Sequence, residues 1–335
     1  MSYHLPVLAA EVVAAAAGAR RAVDGTLGGG GHASLLREAG AGLLAIDRDP
    51  DASAEARRRR GDDRITYLHS PYADPAALQA ITDFRPDFIL LDLGVSSHQL
   101  DQEDRGFSFR PGAPLDMRMS QAGPTGADFL NAAAEEDLKR VFREYGDERQ
   151  AGRLAREVAR RRAREPFVTS DHFVNAIRAV LGPRSGPGDF ARLFQAVRIE
   201  VNGELEGLSA ALPAMRDALS PGGRLAIISY HSGEDRIVKH AFQEWAKRCI
   251  CPPESPICTC RGAPLGRLDP RKPVRPTETE IATNPRARSA TLRIFRTAEV
   301  QGTLLGDPLA DDLPGRGRGD AGPAGGSLHP ARPAR

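Results

Sequence analysis

The chain has 335 residues, which at the usual ~150 per domain suggests about two domains, and 41% of them are hydrophobic, so a sizeable core is available. No apolar run approaches the ~20 residues that span a bilayer, and Met1 to Val7 lacks the charged-then-apolar order of a signal peptide, so the expectation is a soluble cytoplasmic protein with no membrane partner. A formal net charge of only +2 excludes any argument for nucleic-acid binding from the total and leaves it to where the arginines sit.

In chain order, Ala22-Val23-Asp24 reads as a strand ending in a glycine-dense turn, Gly25 to Gly31, followed by a helix through Leu35 and Leu36. The run Leu43 to Ile46 stops at Asp47 and gives way to a helix over Ala52 to Arg60, and Phe88 to Leu91 stops at Asp92. Short, fully apolar strands alternating with helices indicate an α/β fold whose parallel sheet is covered on both faces. From about Gly106 to Leu205 strand signals vanish, and helical patterns follow over Glu135 to Tyr145, Arg149 to Arg164, Asp171 to Leu181 and Asp189 to Leu208. The sheet pattern resumes with Pro221-Gly222-Gly223 and Leu225 to Ile228, a helix from about Asp235, and a last strand over Ala290 to Phe295. The expected organisation is a sheet domain in two parts, 1–105 and 206–300, an inserted all-helical domain, 106–205, and a disordered tail, 301–335, rich in Gly, Pro, Asp and Arg.

A glycine turn between strand and helix lets a ligand approach the backbone, because residues without Cβ adopt positive φ and leave room. Gly28 to Gly31 supplies such a turn, and Asp47 falls at the spacing where a carboxylate accepts hydrogen bonds from both hydroxyls of a ribose. Alone, Gly28-x-Gly30-x-x-Ala33 fits NAD and S-adenosylmethionine about equally. Asp24 tilts the balance: a carboxylate there suits the cationic amino-acid end of S-adenosylmethionine and would be repelled by a pyrophosphate. Asp92 ends a third strand at the sheet edge where open α/β folds bind ligands.

The segments DGTLGGGGH (24–32), DRD (47–49), LLDLGVSSHQLD (90–101), RGFSFR (105–110), PLDMRM (114–119), SYHSGEDRIVK (229–239) and NPRARSATLRI (284–294) together resemble the bacterial 16S rRNA (cytosine-N4)-methyltransferase family, of the RsmH/MraW type. The resemblance runs from about His4 to Arg296. It implies a class I, Rossmann-like methyltransferase sheet, S-adenosylmethionine as cofactor, and a cytidine in the decoding region of small-subunit rRNA as substrate, reached within the small ribosomal subunit. Cofactor contacts implied for this chain are Gly30, Gly31, His32, Asp47, Tyr72, Asp92 and Gln99. An NAD-dependent oxidoreductase and a catalytically silent RNA-binding assembly protein are the competing readings.

Methylating an exocyclic amine needs nitrogen and methyl held in line, and an acceptor that draws on the amine N–H and takes up the surplus proton. Candidates are Asp92 with Ser96 and Ser97, and Ser229 and His231 after the Leu225 to Ile228 strand, where His231 serves equally well as a helix cap. The Asp/Asn/Ser-Pro-Pro-aromatic tetrapeptide of familiar amino-methyltransferases is replaced here by Asp92-Leu93-Gly94-Val95, so base-holding residues do not transfer from that group.

For RNA, the helix over 149–164 carries Arg153, Arg156 and Arg160 among seven arginines and can follow a phosphate backbone, or form only a solvated face. Gln195, Arg198 and Asn202 recur on one face of the next long helix, and Arg286 and Arg288 precede the final strand; all are candidate substrate contacts. No catalytic metal is expected. Cys249, Cys251, Cys258 and Cys260 are too few and too local for a disulfide framework, and read as a structural zinc site or as reduced thiols in a surface hairpin.

Overall fold

The computed structural model describes residues 6–60, 64–252, 254–255 and 257–299; the expected tail lies outside the described residues. Seven strands, β1 (Arg21–Asp24), β2 (Gly42–Asp47), β3 (Ile65–His69), β4 (Phe88–Asp92), β5 (Arg224–Ser229), β6 (Gly266–Leu268) and β7 (Thr291–Thr297), form one sheet in the order β3-β2-β1-β4-β5-β7-β6. Strands β1 to β5 run parallel, and β7 is antiparallel to both of its neighbours. This is the class I methyltransferase order that the resemblance implied.

The parallel strands read as continuous apolar runs because both faces are buried, and their alternating residues part cleanly. Ala22, Phe88, Leu90, Ala226 and Ile228 enter one core with α1 (Ala9–Ala15) and α2 (Gly31–Glu38). Val23, Ile89, Leu91, Leu225 and Ile227 enter the other, with α4 (Pro75–Phe84), α11 (Glu204–Ala218) and α12 (Ser232–Trp245). Helix α3 (Pro50–Arg60) joins β2 to β3. The two strands not expected from the sequence are β3, an edge strand whose side chains are mostly part-exposed, and β6, of three residues.

After β4, α5 (Ser97–Asp101) leads into the helical segment α6 (Gly126–Ala132), α7 (Glu135–Glu144), α8 (Ala151–Arg162), α9 (Ser170–Leu181) and α10 (Pro187–Asn202). These helices pack round a core of their own, including Leu138, Phe142, Leu154, Val158, Phe173, Leu193 and Phe194. The described residues before 300 fall in one compact unit by contact, within which the helical segment has its own core. The expected single helix over 189–208 is two, because Gly203 at φ +59° closes α10 and α11 starts afresh at Glu204.

Chain order runs outward from β1 to β2 and β3 on one side, and from β4 to β5 on the other. The carboxyl ends of β1, β2 and β4 therefore flank a topological switch point, and Asp24, Asp47 and Asp92 each end one of those strands. Helix α13 (Glu278–Thr283) precedes β7 and reaches back to the N-terminal segment, where the Leu8 N–H donates to Glu280 Oε1 at 2.7 Å.

Candidate active site

The turn after β1 is set by packing before it is set by any ligand. A Cβ on Gly25 would lie 2.5 Å from Leu91 Cδ2, and Gly28 and Gly30 take φ values of +50° and +74°, which L side chains rarely adopt. The turn is tied to β2 through the Gly28 N–H, which donates to Asp47 Oδ2 at 2.7 Å. Asp47 Oδ1 accepts from the Asp49 N–H at 2.8 Å. Burial nevertheless pushes the Asp47 carboxyl up from its ordinary 3.8 to about 6, because these two hydrogen bonds only partly replace lost water.

Asp47, His32, Tyr72, Asp92 and Gln99 line one cleft of about 980 Å³ at this edge of the sheet. Asp24 does not line it, which corrects the expectation of direct contact with a cation. It lies beneath the floor, 1% exposed, with Oδ1 accepting from the Thr26 N–H at 3.1 Å and Oδ2 without a partner. Burial raises Asp24 to about 6 as well, opposed chiefly by the nearby His32. His32 sits in the first turn of α2, buried, with neither ring nitrogen hydrogen-bonded and Nε2 3.5 Å from Asp92 Oδ2. Burial works to lower its pKa, but the carboxylates of Asp92 and Asp24 outweigh it and hold the imidazole above its ordinary value.

Asp92 is fixed from three sides. Its backbone N–H donates to Thr26 Oγ1 at 2.6 Å, the Tyr230 hydroxyl donates to its Oδ1 at 2.8 Å, and His32 stands beside Oδ2. Tyr230 lines the cleft, and burial followed by the adjacent Asp92 charge drives its pKa far above the ordinary value, so it stays protonated and donates. Its backbone N–H donates to Glu234 Oε2 at 2.9 Å, which orders the turn between β5 and α12.

Sequence reasoning pointed to the residues on either side of Tyr230 and missed Tyr230 itself. Ser229 is 2% exposed and its hydroxyl donates to the Thr291 carbonyl at 3.3 Å, toward β7 and away from the cleft. His231 caps α12 and pairs with Glu234 at 3.2 Å. Successive side chains leaving a strand point to opposite sides, so a candidate between two others at i−1 and i+1 faces the other way. An aromatic residue directly after the strand end was the available signal. Ser96 lines the cleft and its hydroxyl accepts from the Gln99 N–H at 3.2 Å, whereas the Ser97 side chain lies outside the described residues.

The opposite wall comes from α10. Arg198 and Asn202 line the cleft, and each is also held by hydrogen bonds within the chain. Arg198 makes two bonds to Glu204 at 2.8 and 2.9 Å. Asn202 donates to the Met117 carbonyl at 2.7 Å and accepts from the Met119 N–H at 2.9 Å, pinning the PLDMRM segment to the helix. Arg105 does the equivalent for the loop after α5: it reaches the buried Asp49 at 3.0 Å, and Gln99 donates to the same carboxylate at 2.8 Å. Gln195 lines the cleft half-buried.

On α8, Leu154, Ala155 and Val158 are buried as expected, and Arg153, Arg156 and Arg160 are exposed. Arg160 makes a two-bond pair with Glu157, which also holds Arg161, and Arg162 donates to the Leu130 and Ala133 carbonyls. Arg286 lies on the cleft rim and donates to Asp101 at 2.8 Å; Arg288, two residues on, is exposed.

The residues present fit S-adenosylmethionine: a carboxylate at the ribose position, an aromatic face at Tyr72, and a buried histidine at the start of a helix whose Nδ1 has no partner. The MraW methylase family matches residues 1–298. The chain is 56% identical over 302 residues to the ribosomal RNA small subunit methyltransferase H of Gemmatimonas aurantiaca, covering 89% of this chain and 96% of that protein. It is 48% identical over 307 residues to the protein of the same name from Rubrobacter xylanophilus, covering 88% and 96%. The likeness to that of Syntrophotalea carbinolica is 49% over 284 residues, covering 82% and 90%.

Proposed function

The chain belongs to the MraW methylase family, and we propose that it is an S-adenosylmethionine-dependent methyltransferase that methylates N4 of a cytidine in the decoding region of 16S rRNA. The observation that carries this reading is the pairing, across one cleft, of a ribose-type carboxylate, Asp47, with a second carboxylate, Asp92, whose Oδ1 accepts from the Tyr230 hydroxyl and whose Oδ2 stands 3.5 Å from His32 Nε2. Family membership removes the nicotinamide alternative that the glycine turn left open. Among the described residues no helix is long and apolar enough to cross a membrane.

When bound, S-adenosylmethionine supplies a sulfonium-activated methyl group. Gly31 and His32, which line the cleft, would hold its amino-acid end at the first turn of α2, with Gly30, the N-cap residue outside the lining, setting the turn; Asp47 would take its ribose hydroxyls and Tyr72 its adenine, with Gln99 closing the far side. Asp92 Oδ2 accepts a hydrogen bond from the cytosine amine, which localises the nitrogen lone pair for attack. As the new N–C bond forms, the sulfur–methyl bond would break with its electron pair left on the departing thioether, and one amine proton passes to Asp92 and then to water. Tyr230 fixes the rotamer of Asp92, so the acceptor is aimed before substrate arrives.

Nucleosides from the 16S rRNA of cells with and without this protein decide the matter: N4-methylated cytidine present in the first and absent from the second is the expected result, and an unchanged nucleoside profile would sink the proposal. The grip on RNA is assigned to α8. Replacing Arg153, Arg156 and Arg160 with alanine is expected to flatten the salt dependence of RNA binding, by somewhat under ~1 in log–log slope for each phosphate that an arginine no longer neutralises, with cofactor affinity unchanged. Arg160, already neutralised by Glu157, contributes least. A triple variant that methylates small subunits at the wild-type rate across salt concentrations leaves α8 as a solvated face.

A further inference from the structure

We propose that Cys249, Cys251, Cys258 and Cys260 form a tetrathiolate site for one structural Zn²⁺ ion, remote from the catalytic cleft. None of the four lines that cleft. All four sulfurs lie within 4.8 Å of one another. Four of the sulfur–sulfur separations are 3.7 Å (249 to 258), 4.0 Å (251 to 258), 3.5 Å (258 to 260) and 3.8 Å (249 to 260). A regular tetrahedron with Zn–S bonds of about 2.3 Å has edges of about 3.8 Å, so these separations are those of a tetrathiolate shell. They are far from the ~2.05 Å of a disulfide, and all four cysteines are free.

The one-residue spacers are tighter than the usual two to four. Both arms are irregular chain, with bends at Cys251 and Cys260, and the two thiols of the second arm, Cys258 and Cys260, stand 3.5 Å apart. The arms are joined by Pro252 to Ile257, where the Ser255 N–H donates to the Pro252 carbonyl at 3.0 Å. The Ile250 N–H also points at Cys260 Sγ, at 3.3 Å, a hydrogen bond that favours a thiolate there.

The segment also needs an internal fastening. Among the described residues, none from 247 to 264 enters the three apolar cores, and Ile250 and Ile257 are 45% and 73% exposed. An excursion of this length without apolar burial has only a few hydrogen bonds among the described residues to offset its chain entropy. Its ends, by contrast, are anchored: Arg261 donates to the Lys247 carbonyl at 3.0 Å and to that of Glu244, and the Leu265 N–H donates to the Trp245 carbonyl at 2.9 Å. The ion would thus hold the connection from α12 to β6 and keep β6 in register on β7.

The test uses full-length protein purified under reducing conditions. Expected are one zinc per chain by elemental analysis, no visible colour, and four thiols that resist a chromogenic thiol reagent until a mercurial releases the metal to a zinc-sensitive dye. Protein stripped of metal should take back one Zn²⁺, and Co²⁺ in its place should give the intense visible bands of tetrahedral thiolate coordination. Cys258→Ser with Cys260→Ser should abolish zinc retention and lower Tm, while S-adenosylhomocysteine affinity stays at the wild-type value. Protein that neither carries nor takes up Zn²⁺, with four thiols reacting at once, overturns the site; stoichiometric iron, or a disulfide in freshly purified protein, overturns the identity of the ion.

Discussion

Replacing Asp92 with asparagine is expected to slow methyl transfer by about 10²–10⁴-fold, the range for removing a positioned proton acceptor. The amide keeps the shape and can still accept from Tyr230, but it is a poor proton acceptor and presents an N–H₂ group to the cytosine amine, donor against donor. RNA binding should survive, since α8 and its arginines are untouched. Tyr230→Phe should cost less than Asp92→Asn and should appear in kcat more than in KM, because it loosens the aim of Asp92 without removing it. Single-turnover methylation of small subunits with saturating cofactor separates the two variants from a binding defect. An Asp92→Asn rate within about tenfold of wild type would mean that the proton leaves by another path.

Much of the site was legible because parallel strands buried on both faces are short apolar runs, and an acid ending such a run marks its carboxyl end. Asp47 and Asp92 were found in this way, and the structure brings both to one cleft. Asp24 shared the pattern, yet its depth did not show: whether a strand-end carboxylate faces solvent or lies under the floor depends on the turn that follows, here Thr26 to Gly28. The break at Gly203 was hidden because apolar spacing continues across it, and only the left-handed backbone of that one glycine separates α10 from α11. Arg198 and Asn202 show a different limit. A polar stripe on a helix looks the same in sequence whether its partners belong to another molecule or, like Glu204, Met117 and Met119, to the same chain.

Asp47→Asn is expected to weaken S-adenosylhomocysteine binding by about 1.5–3 kcal/mol, or roughly 10–150-fold, the range for hydrogen bonds to a charged acceptor. In the ligand-free protein the same substitution removes a buried charge but turns an amide N–H₂ group toward one of the two backbone N–H donors, Gly28 or Asp49, a cost that does not vary with pH. Burial raises the Asp47 carboxyl from 3.8 to about 6, so between those values the folded protein binds more protons at this residue than the unfolded chain does. Stability from this group is therefore greatest below pH 3.8, falls as pH rises toward about 6, and is flat above, a loss of about 3 kcal/mol at about 1.4 kcal/mol for each factor of ten in proton affinity. Asp24, raised to a similar value, adds a second loss of the same sign. Other carboxylates run the opposite way: Asp116 is held low by Arg118 although burial opposes it, and Glu234 by His231 against the same opposition. The informative quantity is accordingly the difference between variant and wild type, measured by denaturant unfolding at a series of pH values from about 3 to about 8, a span that brackets the titration. That difference should grow in favour of Asp47→Asn up to about pH 6 and then level off. Ligand binding reverses the balance, because ribose hydroxyls donating to Asp47 favour its ionised form. Affinity for the wild type should then fall below about pH 6, by up to about tenfold per pH unit for one linked proton, and calorimetry near that pH should register proton release on binding. An Asp47→Asn protein with wild-type affinity and an unchanged pH profile would remove Asp47 from the cofactor site. It would also leave its buried charge, which destabilises the folded chain, without a function to account for it.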